Sequence, residues 1–173
     1  YGAALTGIKA TIVTVEVNIA SGFFFNMVGL PDNAVKESHQ RIEAALKNNG
    51  HKIPGKGITI NLAPADIRKE GSAYDLTLAA GILAASGQVK CNVLDQFLVM
   101  GELSLDGSLQ PIKGVLPIAL EAKAQGFKGF VLPRKNAREA ALVQGFQVYG
   151  LDSLKEVTGF MQNPASYKPE EID

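Results

Sequence analysis

From Asp75 to Ala85 the chain reads Asp-Leu-Thr-Leu-Ala-Ala-Gly-Ile-Leu-Ala-Ala. Leu76, Leu78, Ala79, Ala80, Ile82 and Leu83 leave no polar face, so a helix here has to be buried and central. Gly81 in its interior costs about 1 kcal/mol relative to Ala and points to close packing of another element. Ahead of it, Ile58, Ile60 and Leu62 alternate as in a strand, and the turn from Asn61 onward carries Pro64, Asp66, Arg68, Lys69, Glu70 and Gly71. The arrangement is strand, charged loop, buried helix. In α/β proteins such a loop is where chemistry or a contact surface is placed, because the flanking elements fix its ends while its backbone stays exposed.

With 173 residues, 46% of them hydrophobic, the chain can bury the core of one domain, or of one domain with a tail. Seventeen Lys plus Arg balance seventeen Asp plus Glu, so any nucleic-acid surface has to be a local patch rather than a global basic field. The single cysteine, Cys91, excludes an internal disulfide and a cysteine-rich zinc site, fits a reducing compartment, and reads as an inert thiol. No signal peptide or apolar run of spanning length is present, so a cytoplasmic location without a membrane partner is expected. Tyr1 in place of an initiating Met points to a trimmed sequence.

Thr11 to Ile19 alternates, with Val13, Val15, Val17 and Ile19 on one face, and Tyr1 to Ile8 is expected to pair with it. Phe23, Phe24, Phe25, Met27 and Val28 read as a third strand whose phenylalanines pack in the core. Asp32 caps a helix with the stripe Val35, Ile42, Ala45 and Leu46, ended by Gly50. Its other face, Lys36, Glu37, Gln40, Arg41, Glu43 and Lys47, reads as solvated. His39 and His51 read as surface residues without metal-ligand spacing.

Asp106-Gly107 between Phe97 to Leu105 and Ser108 to Ile112 predicts a type I′ hairpin. A helix follows over Val115 to Gln125, with Pro117 in its first turn and Gly126 as its stop. Phe130 to Leu132 is a strand, Asn136 opens a helix through Val143, Phe146 to Tyr149 is a strand, and Ser153-Leu-Lys-Glu156 is a capping box for a last helix. Residues 1–162 form the domain, and the Pro-rich, acidic stretch 163–173 reads as a linker. The pattern is a mixed α/β domain.

Gly50 to Lys56 nearly matches a phosphate-binding P-loop, but Gly57 stands where a Ser or Thr has to hold magnesium. The segment also leads from a helix into a strand, the reverse of the required context. Nucleotide binding here is rejected, and Lys52 and Lys56 remain candidate phosphate-backbone contacts.

Five stretches carry a family resemblance. They are Phe25-Asn-Met-Val-Gly-Leu-Pro-Asp32, Ala34-Val-Lys-Glu-Ser38, Ile58-Thr-Ile-Asn-Leu-Ala-Pro-Ala-Asp66, Arg68-Lys-Glu-Gly71 and Gly101-Glu-Leu-Ser-Leu-Asp-Gly107. In this order they resemble the N-terminal domain of magnesium-chelatase-like AAA+ proteins, the group that includes the YifB and ComM proteins. The resemblance implies a Lon proteolytic-domain-like fold of the ribosomal-protein-S5 domain 2-like group, an α/β (α+β) mixed sheet with packed helices. It also implies a C-terminal AAA+ module beyond Asp173 as the domain's partner, with ATP and magnesium bound there and no cofactor or metal in this segment. Hexamers that act on DNA as branch-migration helicases in natural transformation are the implied assembly.

Lon proteases place their Ser in a Lys-Asp-Gly-Pro-Ser-Ala-Gly pattern and their Lys shortly after a Pro-Ile-Gly-Gly turn. The similar stretches here put Ala73 at the nucleophile and Leu116 at the general base, which removes the dyad and implies a non-catalytic domain. A local shift would pair Ser72 with Lys113 and make a Ser-Lys peptidase, the alternative reading. Arg68, Lys69, Lys113, Lys52 and Lys56 are the candidate contacts to DNA or to a partner. A purely protein-binding or hexamer-forming module is the third reading.

Overall fold

The computed structural model describes residues 1–172. Alternating apolar residues make β1 (Gly2–Thr6) and β2 (Lys9–Ala20), which pair antiparallel from Gly2 opposite Val13 to Thr6 opposite Lys9. β3 (Phe25–Val28) is followed by two helical segments, α1 (Asn33–Lys36) and α2 (Ser38–Asn48), and then by β4 (Gly57–Ala63). β4 lies between β2, to which it is antiparallel, and β3, to which it is parallel, giving the order β1-β2-β4-β3. Asp32 caps α1 by accepting from the Val35 amide at 2.8 Å. Gly50, at a φ of +78°, turns the chain out of α2, as its position in the sequence predicts.

The apolar helix forms where it is expected, as α3 (Asp75–Ala85), and every residue from Asp75 to Ala80 is buried. It packs on β2 and α2 of the first half and against β5 (Phe97–Val99) and β6 (Glu102–Leu103) of the second. Gly81 permits the approach to β2, since a Cβ there would sit 2.9 Å from Val17 Cγ2. Tyr74 donates its hydroxyl to Ala3 O at 2.9 Å, and the Leu76 amide donates to Gly101 O at 3.0 Å, which ties the helix start to both halves.

The second half continues with β7 (Leu109–Gln110), α4 (Val115–Ala124), β8 (Gly129–Pro133), α5 (Arg134–Ala140), β9 (Gln147–Leu151) and α6 (Leu154–Gln162). β5, β8 and β9 form a parallel sheet in that order, and β6 pairs with β7. Ser153 caps α6 by accepting from the Glu156 amide. The fold class is therefore the mixed α/β architecture that the pattern predicts.

Five local expectations are corrected. The expected strand Phe97 to Leu105 is broken at Met100 and Gly101, because β5 pairs parallel with β8 while β6 turns away into its own hairpin. That hairpin is not type I′, which needs a positive φ at both central residues: Gly107 has φ +94° but Asp106 does not turn left-handed, and the Gly107 amide donates to Ser104 O. This is a three-residue loop with glycine in the bulge position. Asn136 opens no helix. It lies inside α5, buried, with its amide group bonded to the Ile112 N–H and C=O at 2.9 and 3.0 Å. Phe23 and Phe24 leave the core, at 91% and 41% exposure, because the chain only joins the sheet at Phe25. Arg41 leaves the solvated face of α2 and pairs with buried Asp75, which lies opposite once α2 and α3 are packed.

The stretch expected as a linker runs along the body. A 3-10 turn at Pro164–Ser166 brings the Tyr167 ring onto Phe160 at 5.8 Å, and the Glu170 amide donates to Val148 O at 2.6 Å. Asp173, the end of that stretch, lies outside the described residues. No helix among the described residues is long and apolar enough to cross a membrane.

Candidate functional site

The charged loop between β4 and α3 is held from below. Lys69 has no exposed surface: its ammonium donates to Gly29 O at 2.7 Å and to Pro64 O, its amide to Leu30 O at 3.0 Å, and its carbonyl accepts from the Asp32 amide at 2.9 Å. Asp32 completes the clamp by accepting from the Gly71 amide at 3.2 Å. Burial lowers the Lys69 pKa below the ordinary lysine value, partly offset by the Asp66 charge. Lys69 is thus corrected from a candidate surface contact to an internal fastener. Its four-carbon stem is drawn under the loop because two backbone carbonyls there need a donor.

With the loop fixed, a cavity of about 420 Å³ opens between it, β1 and the segment Pro111 to Lys113. Ala3, Ala4, Ala73, Met100, Ile112 and Ile118 provide apolar walls, while Arg68, Glu70, Ser72, Glu102 and Lys113 supply the polar groups. The Ser72 hydroxyl donates to the Glu102 carboxylate. Arg68 pairs with Glu70 at 3.1 Å on the exposed rim. Ser72 and Lys113, the two members of the alternative dyad, do share this cavity. Lys113 is nevertheless exposed, and the hydroxyl proton is directed at Glu102. A Ser-Lys pair needs the lysine nitrogen within hydrogen-bond reach of the hydroxyl, and the Ser72 hydroxyl bonds Glu102 instead.

Behind Ser72 lies a network that sequence reasoning missed. Asp75, wholly buried, accepts from Arg41 Nε at 2.7 Å, Arg41 Nη2 at 2.9 Å, Ser38 Oγ at 2.6 Å and the Leu103 amide at 3.0 Å. These bonds raise the Arg41 pKa against the opposing effect of burial. Glu102, next to Leu103, adds its charge to the same guanidinium. The available signal was positional: Ser38 and Arg41 are three apart, on the border of the apolar stripe of α2, where a polar pair tends to face inward.

Lys52 and Lys56 are exposed in the loop between α2 and β4. Gln88, just past the end of α3, binds the Lys52 backbone on both sides, at 3.0 and 2.8 Å. The cavity lies at the other end of α3, roughly 16 Å away for eleven residues at 1.5 Å each. Arg68 and Lys113 therefore form one candidate surface, and Lys52 and Lys56 another. Among the described residues no group of three His, Cys, Asp or Glu is placed to hold a metal ion.

A Lon-like α/β domain with a cavity at the head of its central helix is the class that this geometry defines, and similarity to the Lon protease 2 of Bacillus subtilis agrees with it. That relative is 31% identical over 143 residues, 80% of this chain and 25% of its own length. Residues 15–136 match the family described as Subunit ChlI of Mg-chelatase, and the chain belongs to that family. It is 42% identical over 162 residues to the competence protein ComM of Haemophilus influenzae, covering 93% of this chain and 32% of that protein. It is 41% identical over 172 residues to YifB of Escherichia coli, covering 98% of this chain and 34% of that protein. The chain thus spans about a third of the length of the curated relatives that it matches.

Proposed function

We propose that this chain is an accessory domain, without peptidase activity, of a magnesium-chelatase-related AAA+ ATPase. The whole protein would be a ComM-type DNA helicase acting in branch migration, with ATP and magnesium held by an AAA+ module outside this segment. The domain's own part would be DNA contact or hexamer assembly in the cytoplasm. The observation that carries the non-catalytic reading is the commitment of the Ser72 hydroxyl to Glu102, with Lys113 left exposed. Likeness to a competence protein over 93% of the chain supports the DNA-related part.

The test is fluorescence anisotropy of labelled single-stranded, duplex and branched DNA at two salt concentrations, run beside labelling with a serine-directed fluorophosphonate. Salt-sensitive binding by a protein whose Ser72 stays unlabelled is the expected result. Labelling of Ser72 that disappears in Lys113→Ala would overturn the reading and make the domain a Ser-Lys peptidase. An absence of DNA binding at low salt would leave only the assembly role.

A further inference from the structure

β3 is the last strand of its sheet, so one edge has no partner strand among the described residues. Phe23, at 91% exposure, stands at its entrance. The Phe24 ring lies over Gly57, where an added Cβ would come within 2.2 Å of Cε2, and the Phe23 ring passes 3.9 Å from the equivalent point on Gly55. The two rings therefore flank the backbone of Lys56, with the ammonium in solvent. One residue further on, Phe25 stacks on the His39 imidazole, with centroids 4.0 Å apart and planes within 4°. A cleft of about 290 Å³ beside that stack is bounded by Asn26, Met27 and Lys36.

Three lysines and two glutamates surround these rings, and they differ in pairing. Lys36, Lys52 and Lys56 make no ion pair among the described residues, whereas Glu43 pairs with His39 at 3.5 Å and Glu37 faces Arg41. Protein interfaces concentrate aromatic residues but are depleted of lysine, so interleaved rings and unpaired lysines favour a polyanion with flat faces. In a duplex those faces are already stacked on one another. In a single strand they are free for aromatic side chains, while lysines neutralise the phosphates.

We infer that the β3 edge, with Phe23 and Phe24 as stacking rings and Lys36, Lys52 and Lys56 as phosphate contacts, is a binding platform for single-stranded nucleic acid. The inference rests on the reading that this domain contacts DNA, and it moves the contact from the rim at Arg68 and Lys113 to the β3 edge. Binding there is tolerant of sequence, because every base offers a stacking face.

Phe23 is exposed enough to be replaced without unfolding the domain, and the chain contains no tryptophan. Phe23→Trp therefore introduces a lone tryptophan at the platform, excited selectively over the four tyrosines. Adding unlabelled oligothymidylate is expected to quench it, and the variant should keep the wild-type affinity for labelled strand. Phe23→Ala is expected to weaken that affinity about tenfold. Lys56→Gln is expected to reduce the slope of log affinity against log salt by about 0.7.

Binding that is unchanged in Phe23→Ala but lost in Arg68→Ala/Lys113→Ala would overturn the platform while leaving the DNA-contact reading intact. A wild-type domain that binds no strand at low salt would remove both. If Phe23→Ala instead dissolves a self-associated species in sedimentation velocity and leaves DNA affinity unchanged, the edge joins copies of this chain and the inference is wrong.

Discussion

Replacing Arg41 by alanine removes two of the four hydrogen bonds to Asp75, at 2.7 and 2.9 Å, together with its only cationic partner at salt-bridge distance among the described residues. The carboxylate is left with Ser38 and the Leu103 amide, and none of its side chain is exposed. Stranding one member of a buried ion pair costs about 3–5 kcal/mol. The Arg41 side chain is 22% exposed, so water can enter the space that it leaves, which places the cost near 3 kcal/mol. For a chain of this size that corresponds to a drop in Tm of roughly 6–12 °C. Urea denaturation followed by circular dichroism, with the m-value unchanged, is the measurement. Arg41→Lys should fall between wild type and Arg41→Ala, because it keeps the charge and loses the fork. Arg41→Met combined with Asp75→Leu should recover most of the loss, since no charge then remains to strand. A loss below about 1 kcal/mol for Arg41→Ala would refute the view that this pair organises the α2, α3 and β6 junction.

Lys69→Met should destabilise the domain at neutral pH by leaving the Gly29 and Pro64 carbonyls without their donor. Because burial lowers the native Lys69 pKa, the unfolded chain holds its proton more tightly, and wild type should gain stability relative to Lys69→Met as pH rises toward 10.5. Paired urea titrations at pH 7 and pH 10 read the difference, and a gap that narrows at pH 10 contradicts the burial. Gly29→Ala should cost more than about 2 kcal/mol in the same assay, because its Cβ would fall 2.1 Å from Leu62 O at a backbone φ of +106°.

The cavity was partly legible before the structure. The strand, loop and helix around residues 58–85 followed from alternation, Pro64 and Gly71, and an unbroken apolar run, all of which act over a few neighbouring residues. The loop therefore falls where the pattern predicts it, and Ser72 and Lys113 meet in one cavity. The fate of each charged residue on that loop was not legible. Arg68 and Lys69 are adjacent and equally basic, yet one is on the rim and the other fully enclosed, because only Lys69 lies under carbonyls contributed by Gly29 and Pro64.

The amino-acid sequence by itself determined the element types, the central burial of α3, the helix stops at Gly50 and Gly126, and membership of the family. Each depends on local periodicity, on backbone freedom at particular residues, or on motifs that can be matched along the chain. Tertiary structure alone decided that Arg41 turns inward to Asp75 34 positions away, that Lys69 reaches Gly29 40 positions away, and that Phe23 stays in water. Burial and pairing belong to the surface that a side chain meets, and that surface comes from distant segments whose register is settled only when the sheets and α3 pack together.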